Sequence, residues 1–329
     1  DGSVSLFAAD TGQERFDPEG HHGIITSLAV SPNGRRIASA GLDGSVCLWD
    51  VTTAKLVRRI DAHIETIHDI EFLQDGDVLA TASHDQLVRL WDVNTGKKLR
   101  EMHDHLHPVF ALAVHPDGIH LASAGADRKI LIWNTKTHQE PKSLDFHDGH
   151  ILCLSYSPDG KLLAVGTRAA HSDGVILWDV ETGRKSTTIK VADNGCKVVD
   201  VCFTADGSRV LFTVRDGGHD AVRVWDLTTG RLAHQPFPGA MDETRVACQP
   251  QGRIWASSMG NGSNAVRDTR YGTEEQLFRF GPTPRHVGDI AFTPDGRHLV
   301  CGLAGGTLCI LRLRQWKAKM KKPSGDFFD

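Results

Sequence analysis

Three histidines at alternate positions, His103, His105 and His107 in "MHDHLHP", are the first residues whose spacing could do chemistry. On a strand, alternation would turn all three imidazoles to one face, as a zinc site needs. Pro108 marks a loop there, and His105 also falls into a longer repeating register described below, so no metal site is assigned. The stretch "GNGSNA" at 260–265 spells a G-x-G-x-x-A dinucleotide fingerprint, but that motif works only between a strand and a helix. Here another strand follows. Asn261-Gly262-Ser263 is a glycosylation sequon that matters only in a secreted chain. His219 and Asp220 in "RDGGHDA" fit a loop better than a base and its orienting acid. No G-x-S-x-G elbow and no phosphate loop occurs. Acids and one base on short apolar strands (Asp69, Glu71, Asp200, Arg245, Asp289) are scattered rather than paired as hydrolytic chemistry needs. The expectation is no catalytic residue, no cofactor and no metal.

The composition frames that result. The 329 residues are 40% hydrophobic and 24% charged, with a net charge of −4. A dedicated nucleic-acid binder would carry a basic stripe, so nucleic acid is not an expected partner. No apolar run approaches the roughly 20 residues of a membrane span, so neither is a membrane. Seven cysteines show no C-x-x-C pair. Cys47, Cys153, Cys202, Cys248, Cys301 and Cys309 lie in apolar runs and read as core residues of a reducing, cytoplasmic setting. The chain starts at Asp1 rather than Met, which suggests that a natural N-terminus lies upstream.

The elements that must position these residues repeat. Trp49, Trp91 and Trp133 stand 42 residues apart, and Trp178 and Trp225 continue the series at 45 and 47. Each ends a run alternating with period two, such as "GSVCLWD" and "QLVRLWD", which means strands. Turns ending in Gly recur at 31–34, 73–76, 115–118, 157–160, 204–207, 249–252 and 293–296. Such turns favour tight hairpins because glycine takes positive φ freely. Each period holds about four short strands and leaves no room for a helix, as in a propeller blade.

At this point the residues resemble the WD-repeat β-propeller family, and the resemblance covers nearly the whole chain. Trp-Asp stands at 49–50, 91–92, 178–179 and 225–226. The register of turns and tryptophans matches the family's structural tetrad in three blades: His21, Ser39, Asp43 and Trp49; His63, Thr81, Asp85 and Trp91; His105, Ser123, Asp127 and Trp133. The same count reaches His147 in the fourth. A buried indole N–H needs an acceptor, and a hydroxyl plus an imidazole can relay that bond to a carboxylate.

The resemblance implies an all-β, seven-bladed propeller of four-stranded antiparallel blades over residues 21–313, with an eight-bladed ring as the alternative. Arg267 replaces the sixth tryptophan, and Cys301, Gly305 and Leu311 replace tetrad members in the seventh blade. Residues 1–20 read as partial blade strands, with 13–17 expected to close the ring beside the last blade. Residues 314–329 form a basic tail with Lys317, Lys319, Lys321 and Lys322.

Loops joining blades, and those between second and third strands, share one face, the top. Three-residue insertions raise it in the fourth and fifth blades ("TRAAHSDG", "VRDGGHDA"), and "SMGNGSNA" occupies the same place in the sixth. The expected partners are proteins or peptides held on this rim by Arg168, His171, Arg215, His219 and Asn261. The function expected is a non-catalytic scaffold within a multiprotein complex. The alternatives are a docking module of a larger enzyme and, last, a hydrolytic or lyase propeller with a channel site.

Overall fold

The recurrent Gly turns do what their sequence requires. Gly34, Gly76, Gly118, Gly160, Gly207 and Gly296 all take φ between 64° and 73°. Each closes a hairpin between an inner strand and its successor. In the computed structural model, every strand pair described is antiparallel and no helix is present among the described residues. The structure describes all residues except 1–3, 8–13, 18–19, 54, 74, 145–148, 169–172, 191–196, 217–218, 233–236, 239–244, 253, 259–262, 269–273, 280–286, 304–307 and 314–329. No described helix is long and apolar enough to cross a membrane.

The first unit shows the plan. Ile25–Val30, Arg36–Gly41, Ser45–Asp50 and Leu56–Asp61 lie side by side in chain order. Further units begin at the inner strands Ile67–Phe72, Val109–Val114, His150–Tyr156, Lys197–Phe203, Val246–Cys248 and Val287–Phe292. Each inner strand contacts the next, and Val287–Phe292 returns to Ile25–Val30, so the ring closes. The fourth and fifth units share one sheet through a single pairing, Arg168 with Lys197. The seventh has three described strands, ending at Leu308–Arg312.

The apolar clusters lie between units rather than within them. Leu48 packs with Ile67, Leu79 and Trp91; Leu112, Leu121 and Trp133 pack with Leu90 and Met102; Ile25 and Trp49 pack with Val300 and Leu308. Such a molecule has no single core, and its stability is a sum of neighbour interfaces. The closing seam is close-packed. A Cβ on Gly288 would fall 2.0 Å from the Ile25 carbonyl oxygen, so only glycine lets these two inner strands approach.

The N-terminal strands differ from expectation in detail. Val4–Phe7 and Glu14–Asp17 pair with each other, and it is Val4–Phe7 that runs beside Leu308–Arg312. Residues 13–17 were expected in that position. The apolar alternation of "VSLF" suits the place next to the sheet better than the charged "ERFD". The basic tail lies outside the described residues.

Candidate functional site

The histidines and acids picked out by spacing meet in three relays. Trp49 Nε1 donates to Ser39 Oγ at 2.9 Å, Ser39 Oγ lies 2.8 Å from His21 Nε2, and His21 Nδ1 lies 3.1 Å from Asp43. In the second unit the Trp91, Thr81, His63 and Asp85 links are 3.0, 2.7 and 2.8 Å. In the third, Trp133, Ser123, His105 and Asp127 are linked at 2.7 Å throughout. The chain of donors fixes the tautomer: the hydroxyl accepts from indole and donates to Nε2, and Nδ1–H donates to the carboxylate. Burial holds His63 below the usual imidazole range, in keeping with a neutral ring. For Asp85 burial acts upward, but the His63 hydrogen bond and the Arg89 charge outweigh it and leave its pKa at about 2.

The register also shows where the relay stops. The residue two places after the partner of the tryptophan is Ser39, Thr81 and Ser123 in the first three units, but Val165 and Phe212 in the next two. His147 lies outside the described residues. His103 points away from the relay, 3.2 Å from Glu101 and largely exposed, while His105 is buried within it. The H-x-H-x-H run therefore does not converge.

A second set of residues, unassigned by the sequence, staples neighbouring units across the channel wall. Asp289 Oδ2 accepts the Leu28 amide at 2.7 Å, Asp69 Oδ2 the Leu112 amide at 2.7 Å, and Asp200 Oδ2 the Val246 amide at 2.9 Å. Each carboxylate also accepts from the residue after it. The ladder shifts by one residue immediately before each of them, a bulge that turns the acid toward the next unit. Ser27 holds the same place in the first unit and meets Asp69 and the Ile70 amide. Arg245 holds it in the sixth and donates to the Val199 and Gly288 carbonyls.

These groups line a central cavity of about 770 Å³. Burial, and the neighbouring acids, push Asp69 up to about 7 and Glu71 up to about 8; burial pushes Asp200 up to about 6. For Glu71 the sign follows directly. The folded protein keeps a proton that the unfolded chain releases above its ordinary value of 4.5. The associated stability is complete below that pH and is lost as pH rises toward about 8. Glu71→Gln is therefore expected to raise stability at pH 8.5 by about 1–2 kcal/mol, after allowing for solvent screening in the channel, and to change little at pH 5. Thermal melts at the two pH values check this; equal shifts at both would contradict it.

At the top mouth of the channel His84, His68, Phe110 and His150 form an arc over units two to four. His68 Nε2 lies 3.2 Å from His84 Nδ1, and the His68 and Phe110 rings meet edge-on at 4.9 Å. Arg168 is exposed at the end of its strand, opposite His150 and Lys197, and Arg215 is half-buried beside Lys197 on the next strand. Of the other rim residues, His171 and Asn261 lie outside the described residues, and only the backbone of His219 is described. The top of units one to three carries what the loop lengths did not show: exposed Ile24, Leu42, Leu106 at 65% and Ile64 at 90%.

Comparison with known proteins agrees with this architecture. The model of the NWD2 C-terminal beta-propeller matches residues 57–242, and that of the WD domain, G-beta repeat matches residues 12–50 and 275–311. Small ribosomal subunit protein RACK1y of Oryza sativa subsp. japonica is 40% identical over 62 residues, 19% of this chain and 18% of that protein. Protein tipD of Dictyostelium discoideum is 41% identical over 56 residues, 17% of this chain and 9% of its own. WD repeat-containing protein VIP3 of Arabidopsis thaliana is 40% identical over 40 residues, 12% of each chain. The matches thus span less than a fifth of each relative. With a propeller model matching more than half of its length, the chain belongs to the WD-repeat β-propellers, within the NWD2 C-terminal beta-propeller family.

Proposed function

We propose that this propeller is a non-catalytic platform within a multiprotein complex, with its protein partner seated on the top face. The observation that carries the reading is the set of exposed apolar side chains, Ile24, Leu42, Ile64 and Leu106, gathered on the top of three adjacent units. Apolar side chains collected on one face of a rigid scaffold mark an interaction site. Across the mouth the basic side, with Arg168 and Arg215, supplies directional contacts, since planar guanidinium groups grip carboxylates. The channel acids support the non-catalytic part: Asp69, Asp200 and Asp289 are each engaged by two backbone amides. One matched relative is by its name a component of the small ribosomal subunit, which accords with work inside an assembly. A cytoplasmic setting is part of the same reading, with the six described cysteines not joined in disulfides.

Two double substitutions test it. Ile64→Ser/Leu106→Ser removes the apolar contacts and Arg168→Ala/Arg215→Ala the basic ones. Each is expected to reduce partner recovery from cells by about tenfold, as loss of interface anchors does. Ile64 and Leu106 are exposed, so the first pair should leave the melting temperature unchanged. Unaltered recovery with both pairs would contradict the proposal.

A further inference from the structure

The Gly turn of the third unit differs from its equivalents in a way that points to a metal ion. In the first, fourth, fifth and seventh units this turn closes on a hydroxyl that donates to the residue two places on: Ser31 to Asn33 at 2.8 Å, and Ser157 to Asp159, Thr204 to Asp206 and Thr293 to Asp295 at 2.6 Å. Leu73 and Gln249 stand there in the second and sixth. The third unit has His115 instead, followed by Asp117 and His120.

The surrounding bonds define the state of His115. Its Nε2–H donates to the Gly160 carbonyl of the next unit at 3.1 Å, and its Nδ1 accepts the Asp117 amide at 3.1 Å. The ring is further held edge-on against Tyr156, with centroids 5.0 Å apart. Nδ1 is therefore unprotonated, and its lone pair is held by the Asp117 amide until an ion displaces that bond. The same atom faces Asp117 Oδ2, another acceptor, at 3.1 Å. Asp117 cannot turn away freely, because its Oδ1 accepts the Ile119 and His120 amides. His120 Nδ1 completes the group, 2.6 Å from Oδ2. The three atoms lie within 4.8 Å of one another.

We propose that His115 Nδ1, Asp117 Oδ2 and His120 Nδ1 form a binding site for a divalent transition-metal ion of the zinc type. Two imidazoles and a carboxylate are a donor set such ions prefer. Ligand atoms about 2.0–2.2 Å from a zinc ion sit roughly 3–3.5 Å from each other. Here the pairs to Asp117 Oδ2 are at 3.1 and 2.6 Å, and all three atoms lie within 4.8 Å. The Nε2–H to Gly160 carbonyl bond is the outer support that fixes a metal-binding histidine in its tautomer. His120 is more exposed than its partners, so its ring has room to adjust and its Nδ1 proton passes to solvent as the ion enters. Water fills the remaining position on the open side. The site lies on the bottom face, away from the mouth, and does not depend on the function proposed above.

The test is calorimetric titration of Zn2+ into the whole chain after chelator treatment. One ion per chain is expected at this site. His120→Ala and His115→Ser, the latter restoring the residue type of the sister turns, should each weaken binding by at least about tenfold. His120→Ala, which removes a partly exposed ring, should melt as the unsubstituted protein does when metal is absent. The double variant His103→Ala/His107→Ala should bind as before. No uptake by the unsubstituted chain, equal affinity in both turn variants, or loss only in the His103/His107 variant would overturn the proposal.

Discussion

Asp85→Ala is expected to destabilise the protein by about 3 kcal/mol, because it removes one partner from a buried charge cluster. The Asp85 carboxylate accepts from His63 Nδ1 at 2.8 Å, from Arg89 at 2.8 Å and from the Leu87 amide at 3.1 Å. Arg89, largely buried, would keep Glu101 at 2.6 Å but lose its inner partner, and His63 Nδ1–H would lose its acceptor. Asp85→Asn keeps an oxygen for His63 and gives up only the charge, so it should cost less than half as much. Because the Asp85 pKa is lowered to about 2, its contribution is present above the ordinary value of 3.8 and is lost as pH falls through about 2. Urea titrations of the two variants at pH 7 measure this. A cost below about 1 kcal/mol for alanine, the level of a surface pair, would show that the relay adds little.

The second large effect is expected at the seam. Asp289→Ala removes the acceptor of the Leu28 amide, which joins the last unit to the first, and of the Ile290 amide. Two buried donors are left unpaired, at about 1–3 kcal/mol each, partly offset because a buried carboxyl no longer has to be accommodated. The net expectation is about 2–4 kcal/mol. The position of the loss is more telling than its size. Hydrogen exchange at Leu28 should accelerate strongly in this variant and stay slow in Asp69→Ala, where the Leu112 amide opens instead. Equal protection of Leu28 in both variants would mean that packing alone closes the ring.

How far the sequence reached depends on which residues carried the message. The relays were legible because tryptophan, histidine and a hydroxyl are distinctive and their spacing held through three units. The turns were legible because glycine at positive φ leaves a fixed mark. The aspartate staples were not, since "HDIEF", "VDVCF" and "GDIAF" read as ordinary strands with a stray acid. Their signal was positional: Asp69, Asp200 and Asp289 each stand six residues before the Asp of the following Gly turn. The bulge that aims them leaves no trace in composition. Exposure was equally hidden, as Ile64 and Leu106 look like any apolar residue at a strand entrance, and loop length directed attention to units four to six. At the N-terminus the hairpin was readable, but the order of its two strands beside the last unit depended on packing.

The central claim, that a protein partner sits on the top face, is tested most directly by site-specific photo-crosslinking in cells. A photoreactive residue at Ile64, Leu106 or Arg168 should join the chain to the same partner from all three positions. The same residue at Asp159 or Asp206, both exposed on the Gly turns of the opposite face, should give none of that product. Crosslinks to that partner from the bottom positions, with none from the top, would contradict the account.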